Sequence, residues 1–340
     1  MSFFIRKNVT LHLNVKTDNI MAKIVVLDGY ALNPGDLSWS GLEEIAEVKV
    51  YDRTDASDVL SRVAGFDIIL TNKVVITAEH IKALPELKYI GVTATGYNVV
   101  DVEAAKEAGV VVTNIPAYST ESVAQKVFAL ILAVTNHVEH YADMNRYGRW
   151  SQNPDFCYWN TPLTELHGKK MGIIGLGNTG MATARIAQAF GMDVYACTSK
   201  TPLQLSHTGI HKAEFEGLLS TCDFVSLNCP LTESTREMMN RSTIEKMKNT
   251  AMLINTGRGQ LVNDEELAQC LNERVIYAYG ADVLSVEPPS KDHPLIRCQY
   301  AYITPHIAWA TTEARQRLML QCVENVKAYI DGKPINVVNK

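Results

Sequence analysis

The fold is decided by the stretch MGIIGLGNTGMATARIAQAFG, residues 171–191. In it an apolar run is followed by Gly175, Gly177 and Gly180 in the spacing GxGxxG, and then by a helical pattern. In a strand-turn-helix unit the first glycine makes the tight turn, the second lets backbone amides approach a pyrophosphate, and the third lets the helix pack closely on the strand. The positive end of the helix dipole would then face the phosphates. The stretch therefore predicts a Rossmann-type sheet that binds a dinucleotide.

The next predicted strand ends in Thr198, Ser199 and Lys200, within VYACTSK at 194–200. At this place, about twenty residues beyond the glycines, an acid usually accepts hydrogen bonds from the adenosine ribose and selects NAD. Two hydroxyls and a cation could hold a 2′-phosphate instead. The alternative is that Lys200 points into solvent while Thr198 contacts the ribose weakly. We therefore expect NAD or NADP as the cofactor, with a slight lean towards tolerance of NADP.

Composition excludes several classes of protein. The 340 residues suffice for two domains, and 46% apolar residues with a net charge of -5 indicate a globular protein with no electrostatic case for binding nucleic acid. Seven scattered cysteines without a CxxC pair argue against a disulfide framework or a metal site and favour a cytoplasmic location. No apolar run reaches the roughly 18 to 20 residues that cross a bilayer. A small molecule is the expected partner.

Short apolar runs alternate with helical patterns along the chain, which indicates an α/β protein with two doubly wound parallel sheets. Five runs in the first third predict a flavodoxin-like sheet, and six runs from KKMGIIG to YAYITPH predict the nucleotide-binding sheet. Between them a single helix is expected at 121–146, capped by Ser119 or Thr120. The last amphipathic helix is expected to return to the first domain and make it discontinuous.

These patterns give the predicted domain boundaries. An N-terminal extension is expected at 1–20. Met21 looks like a second, more natural start of the chain, because the first predicted buried strand begins there. The substrate-binding (catalytic) domain is expected at 21–118 plus 308–340, and the NAD(P)-binding Rossmann domain at 119–307.

Charged side chains follow three later strands of the second series. LINTGRGQLV carries Arg258, ADVLSVEPPS carries Asp282 and Glu287, and ITPHIAWAT carries His306. Because ligands of open α/β sheets bind beyond the carboxyl ends of the strands, we expect these residues to meet beside the nicotinamide. A guanidinium can bind a carboxylate and polarise a carbonyl, a histidine can donate a proton, and a carboxylate can fix the tautomer of that histidine. The set predicts reduction of a 2-oxo acid, with the hydride coming from the cofactor.

The motifs GIIGLGNTG, LINTGRG, ADVLSVEPP and TPHIAWAT, with CPLT and NIPAYSTESVAQ, closely resemble those of the D-isomer-specific 2-hydroxyacid dehydrogenase family over about residues 22–338. ATGYNVVD, NIPAYST and HIAWA are most similar to its glycerate dehydrogenase (hydroxypyruvate reductase) and glyoxylate reductase branch. The resemblance implies an NAD(P)-dependent oxidoreductase that converts hydroxypyruvate to D-glycerate and glyoxylate to glycolate. It also implies a homodimer, formed by the helix at 121–146 and the segment GRWSQNPDFCYW.

The resemblance also assigns roles to single residues. It implies Arg258 as the substrate-orienting arginine, Glu287 as the partner of the histidine and His306 as the acid/base. The cofactor contacts that it implies are Asn178, Thr179, Cys229, Pro230, Thr235, Thr256 and Asp282. The substrate carboxylate would be held by the backbone amides of Thr95 and Gly96, with Tyr97 beside them.

Other proteins share these motifs. A dinucleotide-sensing, corepressor-like interaction protein would have the same fold and the same charged residues. Other 2-hydroxyacid dehydrogenases, such as D-lactate or phosphoglycerate dehydrogenase, are further alternatives. A formate dehydrogenase is disfavoured, since the resemblance there implies Gln at the position of Glu287. Turnover of NADH or NADPH with hydroxypyruvate would separate the enzyme from the corepressor.

Overall fold

The structure, a computed structural model, describes residues 22–340, and the predicted extension at 1–20 lies outside this range. The described chain forms two compact units, residues 22–116 with Met319–Lys340, and Ala117–Leu318. The sequence predicted the two changes of unit after residue 118 and after residue 307. The second change lies inside the last helix, at Leu318 to Met319.

The first unit is built on the five strands that the sequence predicted. They are β1 (Lys23–Val26), β2 (Glu47–Val50), β3 (Ile68–Thr71), β4 (Tyr89–Val92) and β5 (Val111–Thr113). All neighbours pair in parallel in the order β2-β1-β3-β4-β5, which is the flavodoxin-like order. β3 and β4 are buried at every position, which explains their continuous apolar sequences. The predicted fold class of this unit is confirmed.

Short helices connect these strands. They are α1 (Gly29–Leu32), α2 (Ser40–Glu43), α3 (Val59–Val63), α4 (Ala78–Ala83) and α5 (Val102–Glu107), with a 3-10 turn at Ala56–Asp58 before α3. The C-terminal tail also joins the unit, because the amide of Val338 donates to the carbonyl of Val112 on β5 at 2.9 Å.

The second unit is built on a seven-stranded parallel sheet. Its strands are β6 (Lys170–Ile174), β7 (Asp193–Cys197), β8 (Ile210–Lys212), β9 (Phe224–Leu227), β10 (Met252–Asn255), β11 (Ala278–Ala281) and β12 (Ala301–Ile303). The order β12-β11-β10-β9-β6-β7-β8 reverses between β6 and β9, the point where a Rossmann sheet binds its ligand. The Rossmann prediction is confirmed, but the prediction of six strands missed β8. That edge strand has three residues, and only Ile210 is buried, so no apolar run marks it.

The helices of the second unit include one correction. They are α6 (Thr120–Asn136), α7 (Val138–Arg146), α8 (Asn178–Ala189), α9 (Pro202–Leu205), α10 (Phe215–Thr221), α11 (Arg241–Ile244), α12 (Asp264–Asn272) and α13 (Pro294–Arg297), and α14 (Thr312–Ile330) follows. The single helix predicted at 121–146 is wrong, because His137 takes a left-handed conformation with φ 49° between α6 and α7. The amide of His137 still donates to the carbonyl of Ala133 at 3.2 Å, as it would in a continuous helix. The apolar periodicity of the sequence therefore gives no sign of the break. Ser119 is the N-cap of α6, but its side chain makes no capping hydrogen bond.

Side chains of the second sheet alternate between two apolar layers, as the period of a strand requires. Met171 and Ile173 of β6 pack with α6 and α8, whereas Ile174 packs with the layer that contains α10 and α12. Helices therefore cover both faces, and ligands have access at the carboxyl edge.

Two features are absent from residues 22–340. In this range no helix is both long and apolar enough to span a membrane. The same residues contain no cluster of His, Cys, Asp and Glu suited to a metal ion.

Candidate active site

The glycine-rich turn joins β6 to α8, and each glycine has its own steric reason. Gly175 has φ 91°, and a Cβ there would lie 2.6 Å from the amide nitrogen of Cys229. A Cβ on Gly180 would lie 2.2 Å from the carbonyl oxygen of Gly175. A Cβ on Gly177 would meet no described atom within 4 Å, so this glycine faces open space at the start of α8, where Asn178 and Thr179 form the first turn. The first and third glycines permit close packing, and the second leaves room for a phosphate.

Two polar atoms at the neighbouring strand ends are buried without a hydrogen-bond partner among the described residues. They are Oγ1 of Thr256, directly after β10, and Oδ1 of Asn228, directly after β9. Buried polar groups are nearly always paired, so these two atoms suit a ligand. With the glycine turn they fit a bound dinucleotide. Thr256 was predicted as a cofactor contact, whereas Asn228 was missed, although it is the first residue beyond a fully buried strand.

The predicted 2′-phosphate position lies beside the glycine turn. The amide of Gly175 donates to the carbonyl of Cys197, the last residue of β7, at 2.9 Å. Thr198 follows, and its Oγ1 accepts from the amide of Lys200 at 3.2 Å. Nζ of Lys212, a residue that the sequence did not single out, donates to the carbonyl oxygen of Lys200 at 3.0 Å. Two lysines and the exposed Ser199 therefore lie at the end of β7.

The segment after β9 forms a turn closed by Thr235. Its Oγ1 donates to the carbonyl of Pro230 at 2.8 Å and accepts from the amide of Thr232 at 2.7 Å. Burial raises the pKa of the Cys229 thiol, which therefore stays protonated near neutrality. Cofactor contacts of Cys229, Pro230 and Thr235 stay a prediction.

Glu287 and His306 form a hydrogen-bonded pair. Nδ1 of His306 lies 2.6 Å from Oε2 of Glu287, and Oε1 of Glu287 accepts from the amide of Leu284 at 3.0 Å. About a third of each side chain is exposed, 31% for the histidine and 35% for the glutamate. Because Nδ1 faces the carboxylate, it carries the proton, and Nε2 is the nitrogen available to a substrate. The structure thus brings these two predicted residues into contact.

Arg258 lies at the end of the adjacent strand. It follows β10, as Glu287 follows β11 and His306 follows β12, and these three strands are neighbours in the sheet. Its side chain is exposed, and Nη1 donates to the carbonyl of Gly257 at 2.9 Å. The guanidinium carries further N–H donors besides the one in that contact. All three predicted residues therefore lie along one edge of the sheet.

The backbone of His306 is held in an unusual conformation. It has φ 53°, a left-handed value that costs a non-glycine residue about 1 to 2 kcal/mol. Asp282, only 1% exposed, accepts from the amides of Ile307 at 3.0 Å and Ala308 at 2.6 Å. Nε1 of Trp309 donates to the carbonyl of His306 at 2.9 Å. Asp282 thus supports the histidine turn, while its predicted contact with the nicotinamide stays a prediction.

The predicted carboxylate-binding loop follows β4 in the first unit. Oγ1 of Thr95 donates to the carbonyl of Ile115 at 2.8 Å, and Nδ2 of Asn114 donates to the carbonyl of Thr95 at 2.7 Å. Within residues 22–340, the amides of Thr95, Gly96 and Tyr97 donate to no protein acceptor. Such amides can bind an anion, which agrees with the prediction without testing it.

Asp28 organises a second loop at the same edge of the first sheet, and the sequence did not reveal it. Its carboxylate accepts from the amides of Asn72 at 2.8 Å, Lys73 at 2.6 Å and Val74 at 3.2 Å. Nδ2 of Asn72 in turn donates to the carbonyl of Thr93 at 2.7 Å, two residues before Thr95. Asp28 therefore supports the predicted carboxylate-binding loop through Asn72. An acid directly after the first buried strand was the only signal in the sequence.

Tyr118 is a further residue that sequence reasoning missed. It is 5% exposed, and burial raises its pKa to about 12, although a hydrogen bond from Ser119 and the charge of Arg258 act in the opposite direction. The phenol is therefore neutral near pH 7. It also borders a cavity of ≈ 640 Å³ within the second unit, lined by Ala117, Tyr118, Thr120, Glu121, Asn178, Met181, Arg185 and Arg317. Glu287 and His306 are not among these lining residues.

The glycine turn, the buried unpaired oxygens and the Glu287–His306 pair define a dinucleotide-dependent oxidoreductase. The family model for the "D-isomer specific 2-hydroxyacid dehydrogenase, NAD binding domain" matches residues 128–308. A hydroxypyruvate reductase from Blautia hydrogenotrophica is 46% identical over 321 residues, which cover 94% of this chain and 100% of the relative. A glycerate dehydrogenase from Methylorubrum extorquens is 38% identical, with coverages of 86% and 92%. A D-lactate dehydrogenase from Aquifex aeolicus, solved with NAD and lactic acid, is 28% identical with a TM-score of 0.80, over 94% of this chain and 99% of that one.

The chain therefore belongs to the D-isomer specific 2-hydroxyacid dehydrogenase family. It is an oxidoreductase that uses a nicotinamide dinucleotide and interconverts 2-oxo and 2-hydroxy acids. The matched residues 128–308 lie in the seven-stranded unit, which carries the glycine turn. The corepressor-like alternative is not favoured, since these relatives are named as dehydrogenases and reductases.

Proposed function

We propose that this enzyme reduces hydroxypyruvate to D-glycerate and glyoxylate to glycolate. The observation that carries the proposal is the 2.6 Å hydrogen bond between Glu287 Oε2 and His306 Nδ1, which leaves Nε2 as a proton donor at the edge of the dinucleotide-binding sheet. The names of the two sequence relatives support hydroxypyruvate and glycerate as the substrate pair.

In the proposed mechanism, the chain's own residues bind the 2-oxo acid and move one proton. The bound dinucleotide supplies the hydride to the carbonyl carbon. Protonated His306 donates the Nε2 proton to the carbonyl oxygen as its negative charge develops, and becomes neutral. Glu287 stays ionised, holds the Nδ1 proton and stabilises the imidazolium before transfer. Arg258 pairs with the carboxylate and draws electron density from the carbonyl. In the reverse direction His306 accepts the hydroxyl proton.

The first unit is proposed to bind the substrate carboxylate through the loop at Thr95, Gly96 and Tyr97. Three consecutive amides that donate to no acceptor among the described residues can surround a carboxylate without a charged side chain. Support from Asp28 through Asn72 would keep this loop in place.

Steady-state kinetics with four substrates test the proposed function. We expect the highest kcat/KM for hydroxypyruvate or glyoxylate, compared with pyruvate and 3-phosphohydroxypyruvate, and a product of D configuration. A higher value for pyruvate would make the enzyme a D-lactate dehydrogenase, and a higher value for the phosphorylated acid would make it a phosphoglycerate dehydrogenase. No turnover with any of the four would overturn the proposal.

For the cofactor, we propose that the end of β7 tolerates NADP as well as NAD. Thr198, Ser199 and Lys200 offer hydroxyls and a cation where an acid would repel a 2′-phosphate, and Lys212 adds a second cation nearby. The ratio of kcat/KM for NADPH and NADH measures this tolerance. A strong preference for NADH would remove it.

For the assembly, we propose a homodimer formed by α6, α7 and the segment that follows. Phe156 is 89% exposed and Trp159 is 70% exposed, and Tyr147 and Trp150 in the same segment are exposed as well. Exposed aromatic patches of this kind favour a protein interface. Light scattering should give the mass of two chains, and the double variant Phe156→Ser with Trp159→Ser should give the mass of one. A monomeric wild-type enzyme would contradict the dimer.

A cytoplasmic location is also proposed. The seven cysteines are all free thiols, which suits a reducing compartment. Cell fractionation with a tagged chain tests the location.

A further inference from the structure

A buried carboxylate lies next to the loop that leads to Glu287. Asp264 is the first residue of α12 and is 7% exposed. Its Oδ2 accepts from the amide of Ser285 at 3.1 Å and from Oγ of Ser285 at 2.5 Å, and it lies 3.2 Å from Nε2 of His293. Burial of an ionised carboxylate costs several kcal/mol unless donors surround it. Asp264 therefore needs a structural or functional reason, and its three donors all come from the segment that leads to or follows Glu287.

The tautomer of His293 follows from its second contact. The amide of Leu295 donates to Nδ1 of His293 at 3.3 Å, so Nδ1 carries the lone pair. Nε2 then carries the proton and donates it to Asp264. The Asp264 carboxylate thus accepts from His293 as well as from Ser285. Its role is that of an acceptor that gathers three donors.

Ser285 joins two of the catalytic loops. Its carbonyl accepts from Nε2 of Gln260 at 2.8 Å, while its amide and hydroxyl both bind Asp264. A Cβ on Gly259 would lie 1.9 Å from the carbonyl carbon of Leu284, so the two backbones touch. The amide, hydroxyl and carbonyl of Ser285 therefore form a clamp. This clamp holds the segment that begins with Arg258 against the segment that leads to Glu287.

The contacts continue from this clamp to the acid/base pair. The amide of Leu284, next to Ser285, donates to Oε1 of Glu287 at 3.0 Å. The other oxygen of that carboxylate holds Nδ1 of His306 at 2.6 Å. A shift of Ser285 would move the Leu284 amide, rotate the carboxylate and turn the imidazole. Errors of about 1 Å in such a set can cost about 100-fold in rate.

We propose that Asp264, through Ser285 and with His293, is a positioning residue for the Glu287–His306 pair. The proposal rests on the proposed function, since it concerns the same acid/base chemistry. In the proposed arrangement Asp264 itself contacts neither the substrate nor the cofactor. Its carboxylate fixes the Leu284–Ser285 backbone, and that backbone fixes the orientation of Glu287.

Kinetics of Asp264→Asn test the proposal. The amide keeps the shape of the side chain, but its Nδ2 must either face the donors of Ser285 and His293 or take the buried place of Oδ1, which has no hydrogen-bond partner among the described residues. We therefore expect kcat for the 2-oxo acid to fall by about 10- to 100-fold with an unchanged KM for the dinucleotide. Glu265→Gln is the matched control, because it removes the same charge from the same helical turn at an exposed side chain, and it should keep kcat. An unchanged kcat in Asp264→Asn would overturn the proposal.

Two variants of Ser285 test the proposal independently of any folding defect in Asp264→Asn. Ser285→Ala removes one donor to Asp264 and should lower kcat by a smaller factor, whereas Ser285→Thr keeps the hydroxyl and should restore it. Equal values of kcat for the alanine variant and the wild type would count against the clamp.

Proton NMR separates this proposal from the proposed function. The short bond between His306 and Glu287 should give a low-field signal from the Nδ1 proton. We expect the signal to be absent in His306→Gln, which assigns it, displaced in Asp264→Asn and unchanged in Glu265→Gln. This result does not require turnover, so an enzyme inactive on all four 2-oxo acids would overturn the proposed function and leave the positioning testable. A signal at the wild-type position in Asp264→Asn would overturn the positioning.

Discussion

The carboxyl edges of the two sheets present different chemistry. At the edge of the seven-stranded sheet the proposed functional groups are the side chains of Arg258, Glu287 and His306. At the edge of the five-stranded sheet the corresponding groups are backbone amides at 95–97, and a carboxylate, Asp28, holds a neighbouring loop. The proposed function of the first edge depends on the identity of its side chains. The proposed function of the second edge depends on the path of the backbone.

This difference predicts different responses to substitution. Loss of a side chain that donates a proton removes the chemistry itself, whereas loss of a group that supports a loop weakens binding.

The largest effect is expected for His306→Ala. In the proposed mechanism the imidazole protonates the carbonyl oxygen, so its loss should lower kcat/KM for hydroxypyruvate by at least ~100-fold. His207→Ala, at an exposed histidine of the same unit, should have no effect. A loss below about tenfold, with thermal unfolding unchanged, would show that His306 is not the acid.

Glu287→Gln should lower the rate less and change its pH dependence. The amide can still accept a hydrogen bond from Nδ1, but its lack of charge no longer stabilises the imidazolium, so kcat should fall by about 10- to 100-fold. Reduction requires protonated His306, and the decline of the rate on the alkaline side should therefore begin at a lower pH. Glu233→Gln, at an exposed glutamate, serves as the control. An unaltered pH profile would rule out the charge of Glu287 as the stabilising group.

Asp28→Asn tests the other edge. The amide cannot accept from three backbone N–H groups as the carboxylate does, so the support for the loop at 95–97 should weaken. We expect KM for hydroxypyruvate to rise by about 3- to 10-fold, the scale of one hydrogen bond, while KM for the dinucleotide stays constant. Asp101→Asn, which can keep its helix-capping contact with the amide of Ala104, is the control. A fall in kcat as large as that of His306→Ala would break the contrast between the two edges.

The smallest effect is expected for Lys200→Ala. Removal of one cation near a 2′-phosphate should lower the ratio of kcat/KM for NADPH and NADH by about 3- to 10-fold and leave the NADH value unchanged. Lys246→Ala, at an exposed lysine of the same unit, should leave the ratio as it is. If both variants behave alike, Lys200 is a solvated side chain and Lys212 is the next residue to change.

Much of the fold could be predicted from the sequence, because tight turns and buried strands each require particular kinds of residue. The glycine spacing at 175–180 reports a turn that only glycine can form, and fully buried strands such as β3 and β4 read as apolar runs. The contact between Glu287 and His306 could be anticipated because charged groups follow consecutive strands of one sheet, and their acid/base role stays a prediction.

The missed features depend on contacts between distant residues. Asp264 and Ser285 are separated in the sequence and meet only because α12 and the loop after β11 pack together. The left-handed turn at His137 leaves the helical periodicity intact, and β8 is too short to form a pattern. In the sequence Asp28 looks like an ordinary acidic residue in a turn. Only the structure shows that its carboxylate accepts from three backbone amides.

The close approach at Gly259 also bears on attempts to redesign the enzyme. Because even a methyl group there would overlap the backbone of Leu284, the loop after β10 has no freedom to change its path independently of the loop after β11. A graft that replaces only one of them with the loop of a relative would bring mismatched surfaces together. Residues 258–287 should therefore be exchanged as one segment, and libraries that vary the two loops separately would consist mainly of chains that misplace the glutamate.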